Sequence, residues 1–127
     1  MRAPEMNNLN THEATDYRDA NSRYGRLFDA MNEFFLSIPN CIRANLDGDR
    51  GLAIWPADVN DILTRGAQYA RTLGLEVKES NAGWSAMLPR PGQREDGTPA
   101  RVEYEATHST EWGPNPVCIV SYVADPD

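Results

Sequence analysis

From Tyr24 onward apolar residues recur at helical spacing. Tyr24, Leu27, Phe28, Met31, Phe34, Phe35 and Ile38 form one stripe, and Arg23, Arg26, Asp29 and Glu33 occupy the opposite side. The spacing predicts a helix from about Ser22 to Ile38. Asp19, Asn21 or Ser22 would cap its start, and Pro39 stops it because the proline ring excludes another turn. Two short apolar runs follow, Cys41 to Leu46 and Leu52 to Trp55, with Asp47-Gly-Asp-Arg-Gly51 between them. The Asp/Gly cluster predicts a short hairpin, with a helical extension through Leu46 as the rival reading. Pro56 suits the first turn of a second helix, where its missing N–H costs nothing. Val59, Ile62, Leu63, Gly66, Tyr69, Ala70 and Leu73 form that helix's apolar stripe, and Gly74 follows as a left-handed cap.

The pattern then changes from period 3.6 to period 2. Leu75 to Glu79 alternates, Asn81-Ala-Gly83 turns, and Trp84 to Leu88 returns with Trp84, Ala86 and Leu88 on one face. Pro89 to Pro99 carries three Pro, two Gly and four charges, which predicts a long exposed loop. Ala100 to Thr107 alternates cleanly, placing Arg101, Glu103 and Glu105 outward. A second loop, His108 to Pro116, holds Trp112. The last strand, Val117 to Val123, is apolar on both faces. It is either central and covered on both sides, or it presents one face to another chain. Residues 1–18 are polar and without period, and are expected to form a mobile arm ahead of a single domain at 19–124. The order predicts an α+β fold: two main helices on one face of a four-stranded, mainly antiparallel sheet, with a short hairpin between the helices.

Composition narrows the function more by exclusion than by assignment. The 127 residues hold 19 acidic against 12 basic side chains, a net −7. That argues against a duplex-binding surface, which depends on phosphate neutralisation by Lys and Arg. Eleven of the 12 basic residues are Arg, with Lys78 the exception. They are scattered, so the bias points to a GC-rich bacterial or phage genome rather than to an anion site. No apolar run is long enough to span a membrane, and Met1 to Asn10 lacks the apolar stretch of a secretory signal. Cys41 and Cys118 stand among apolar neighbours and are expected as free thiols in a cytoplasmic protein.

Catalytic and metal motifs are weak. His12 lies in the expected arm, and His108 has no obvious nucleophile or orienting carboxylate beyond its loop neighbours Ser109, Thr110 and Glu111. A Cys118–His108 pair would require an electropositive, accessible thiol, whereas Cys118 sits in an apolar run. Two Cys and two His without close pairing give no recognisable zinc set. A calcium loop counted from Asn45 fails at its sixth and twelfth places, Arg50 and Pro56. No cofactor is expected. The remaining signal is a recognition surface: Trp112 in a Gly-Pro loop, the adjoining Val120 and Tyr122, and a polar rim of Glu111, Glu103 and Glu105. The sequence therefore leads to a small acidic, non-enzymatic protein-binding domain, a regulator or inhibitor of another protein or a homodimer. The alternative is a small-ligand-binding protein or enzyme with Tyr104, Tyr122 and His108 lining a pocket between sheet and helices.

Overall fold

Ser22 caps the helix that follows it by using its hydroxyl twice. The oxygen accepts the Gly25 N–H at 2.8 Å, and the hydroxyl donates to the Asp19 carbonyl at 2.8 Å. The computed structural model describes residues 17–19, 21–111 and 113–125. Helix α1 spans Arg23–Leu36 and buries Gly25, Phe28, Met31, Asn32 and Phe35, the predicted stripe with one polar member. Asn32 is tolerated inside because its side-chain oxygen accepts the Tyr104 hydroxyl at 3.1 Å. Helix α2 spans Val59–Thr72 and buries Val59, Ile62, Gly66, Ala67 and Ala70. Pro56 does not open it. The N-cap is Asp58, held in the left-handed region at φ 58°, so Pro56 belongs to the bend that redirects the chain after Trp55. The other end is as expected: Gly74 adopts φ 86°, and the Leu75 N–H closes onto the Ala70 carbonyl at 3.1 Å.

Among the described residues six strands follow the hydrophobic alternation: β1 (Arg43–Asp47), β2 (Arg50–Trp55), β3 (Val77–Ser80), β4 (Gly83–Gln93), β5 (Pro99–Ser109) and β6 (Val117–Ala124). They form one antiparallel sheet in the order β1-β2-β6-β5-β4-β3. The α+β class holds, and the sheet is larger than the four strands expected. The β1–β2 hairpin is not a separate excursion, because β2 lies along β6 with Ala53 opposite Val120 and Trp55 opposite Cys118.

The expected loop from Pro89 to Pro99 is also mostly strand. β3 pairs with β4 only as far as Ala86, so the β4 flank beyond it has no neighbour that needs the missing proline N–H. Pro89 can therefore sit opposite Arg101, and a register shift before Gln93 is absorbed where Gly92 adopts φ 99°.

Both helices pack on one sheet face. Ala53 and Trp55 of β2, Trp84, Ala86 and Leu88 of β4, Val102, Tyr104 and Ala106 of β5, and Cys118, Val120 and Tyr122 of β6 meet the helix stripes in one cluster. Tyr17 belongs to that core at 3% exposure, although the sequence reading had placed it in the arm. Its ring packs on Phe28, its hydroxyl bonds Asp49, and Arg90 lies over its face at 5.0 Å. The rest of the expected arm, residues 1–16, lies outside the described residues. Among the described residues no helix is long and apolar enough to cross a membrane.

Candidate interaction surface

Alternation on β6 decides which side chains a partner could reach. Cys118, Val120 and Tyr122 point under the helices, and Val120 and Tyr122 are each only 1% exposed. The two-sided apolar pattern of the last strand assigns these two to an uncovered face. The structure places them on the opposite one, because Phe28 of α1 already covers Tyr122. The open side of β6 instead carries Val117, Ile119, Ser121 and Val123.

Cross-strand register extends this open face into rows. Thr107, Ile119 and Ile54 stand side by side, next to the row of Glu105, Ser121 and Leu52, and then Glu103, Val123 and Arg50. Ile54 and Val117 are buried yet stand outside the helix-side core cluster, so they form a second, thin apolar layer. Leu52 and Ile119 are half-buried, and Val123 is 46% exposed. Glu105 is exposed and Glu103 half-buried, the latter 3.6 Å from the Arg101 guanidinium. Glu103 and Glu105 therefore stand on the open face, beside the apolar rows. Glu111 is exposed in the loop after β5, and Trp112 lies outside the described residues.

The helix side offers a different kind of site. A groove of about 490 Å³ runs between α2 and the β3–β4 hairpin, lined by Asn60, Thr64, Gln68, Asn81 and His108 among others. A second, of about 410 Å³, lies around the strained Asp58 and shares Asn60 and His108 with the first. The first groove sets amides and hydroxyls beside Leu63, Ala67 and Trp84, and its Arg71 is already paired with Glu79 at 2.8 Å. Of the three residues expected to line a pocket, His108 does. Tyr104 does not, and Tyr122 borders only a separate hollow of about 280 Å³ beside Leu52 and Val123 rather than one between sheet and helices; both rings are spent inside the core, where burial also pushes the Tyr104 phenol pKa well up.

Thiol and metal chemistry gain no support from the geometry. Cys41 and Cys118 are free, and burial pushes the Cys118 thiol up to about 12, the reverse of what a nucleophile needs. His108 stands opposite Cys118 in the β5–β6 ladder, but its neighbour's thiol faces the sealed core. Among the described residues no three His, Cys, Asp or Glu side chains gather as a metal site.

The signal for the open face was present in the sequence as the two-faced apolar pattern of β6. The sequence did not show which face the helices would take. The chain matches no protein-family model, no curated protein and no solved structure, so the surface is read from its own residues.

Proposed function

We infer that this domain binds another protein through the open face of its sheet and acts as a small acidic regulator or inhibitor. One observation carries the reading. Among the described residues both helices lie on one side of the six-stranded sheet, leaving Val123 exposed and Leu52 and Ile119 half-buried beside Glu103 and Glu105. An apolar centre edged by Glu103 and Glu105 on the β5 side and by Arg50 on the β2 side suits a partner that presents an apolar patch with Arg or Lys placed opposite the two acids. The acids would speed encounter and set orientation, and the apolar rows would supply most of the affinity.

The test compares partner capture by the wild type and by Val123→Asp and Leu52→Glu, with thermal unfolding as the control. The expected result is a discrete partner retained by the wild type and lost from both variants, with association slowed by added salt. Retention of the same partner by folded Val123→Asp and Leu52→Glu would reject the open face. A second reading rests on the two grooves that meet at Asn60 and His108, which would take a small polar ligand. Native mass spectrometry showing a bound metabolite that His108→Ala loses would favour it.

A further inference from the structure

Among the described residues β1 ends the sheet, and its sequence is complementary to itself. The hairpin joins β1 to β2 through two residues, Gly48 and Asp49, with Asp47 opposite Arg50. A two-residue hairpin closes on a hydrogen-bonded pair, and such pairs alternate along an antiparallel ladder. Asp47, Asn45 and Arg43 therefore spend their backbone groups on β2. The N–H and C=O of Ala44 and Leu46 point off the sheet edge.

The geometry points to a second copy of this chain pairing antiparallel with β1 about a two-fold axis through Asn45. In that register Ala44 falls opposite Leu46 of the other copy, and the outward backbone groups of both satisfy each other in four hydrogen bonds, two for each Ala44–Leu46 pair. Asn45 meets its own counterpart. Arg43 falls opposite Asp47 of the other copy at both ends of the seam. These are non-hydrogen-bonded positions, where opposed residues approach most closely and opposite charges help most.

Charge favours this edge in spite of the chain's net −7, because Arg43 and Asp47 cancel within the strand. β1 also shows none of the usual edge protection by proline or an inward charge, and Arg43, Ala44 and Asn45 are exposed. The other edge behaves differently. β3 has four residues, Val77–Ser80, and Glu79 is engaged by Arg71. A two-fold pairing centred on Lys78 or on Glu79 would set like charges against each other. Because opposed residues share a face, pairing at β1 keeps the helices of both copies on one side of a continuous sheet. Arg43 and Asn45 stand on the same face as Ile54 and Leu52, but the pairing is made by the outward backbone of Ala44 and Leu46, so Ala44→Pro tests it without altering Leu52, Ile119 or Val123.

Sedimentation velocity on the full chain, from micromolar to near-millimolar concentration, tests it. The wild type is expected to show a reversible monomer–dimer equilibrium. Ala44→Pro should be monomeric with unchanged thermal unfolding, since it removes an N–H that β2 does not use. Arg43→Asp and Asp47→Arg should each weaken self-association about tenfold or more, by setting like charges opposite at both ends. Mixing these two variants in equal amounts restores opposite charges across the seam and should yield a heterodimer. A wild type that stays monomeric, a dimer indifferent to Ala44→Pro, or a mixture that fails to reassociate would overturn the proposal.

Discussion

Phe28 meets Tyr122 edge to face, with ring centroids 5.0 Å apart and planes inclined at 84°. This contact ties α1 to the strand that runs between β2 and β5, and it sets the inner face of the sheet. Tyr17 and Tyr104 extend the cluster, at 5.1 Å from Phe28 and from Tyr122 respectively. Aromatic pairs in such geometry add to the area they bury.

Truncating the cluster should therefore be expensive. Phe28→Ala and Phe35→Ala each remove a buried ring from α1, and each should cost roughly 3–5 kcal/mol by lost transfer free energy plus the cavity left behind. Urea unfolding reads this as a lowered midpoint at unchanged slope. Wild-type midpoints in both variants would show that α1 does not pack on the sheet as described.

The helices were legible because their apolar spacing is local. The Phe28–Met31–Phe35 stripe and the Gly74 cap are written within a few turns of chain. The pairing of β2 with β6 is not local, since Ala53 and Val120 are brought together from opposite halves of the sequence. That is why the predicted hairpin is not placed in the main sheet by the sequence, and why Val120 and Tyr122 are assigned to the wrong face. A strand apolar on both sides announces a central position without saying which side the helices will cover. Pro89 misled for another reason. Proline counts against a strand in general, but it is harmless on a flank that a short neighbour such as β3 leaves unpaired.

Gly51 marks a close approach between the hairpin and β6. A Cβ there would collide with the Tyr122 ring, whose hydroxyl reaches the Gly48 carbonyl at 3.2 Å. Gly51→Ala should destabilise by about 1–3 kcal/mol through overpacking. Adding Tyr122→Leu should make the two changes less than additive, since the second removes the clash created by the first. A double-mutant cycle with strictly additive effects would refute this contact.

The two thiols should be kinetically distinct. Cys118 is sealed in the core with its thiol pushed up to about 12, whereas Cys41 is only half-buried, its thiol donating to the Arg43 carbonyl at 2.9 Å. Mildly alkaline alkylation of the native protein should label Cys41 alone, and denaturant should release Cys118. Intact-mass spectra showing equal native labelling of both would contradict the sealed core.

Acid should loosen the C-terminal end of the sheet through Asp125. Its carboxylate accepts Arg94 Nε and Nη2 at 2.8 and 3.0 Å and the Arg101 backbone N–H at 3.0 Å, joining the β4–β5 hairpin to the end of β6. The hydrogen bonds from Arg94, reinforced by that from Arg101, hold the carboxyl below the usual range despite its partial burial. The unfolded chain then binds the proton more readily than the folded one. The stabilisation is complete above the unfolded value of about 4 and is lost as pH falls through the lower folded value. Asp125→Asn keeps the size of the side chain and removes the charge. It should be less stable than the wild type near neutrality and converge with it in strong acid, when urea midpoints are compared across that range. A constant difference at every pH would mean that Asp125 contributes only packing and neutral hydrogen bonding, and that the Arg94 clasp is not a charge interaction.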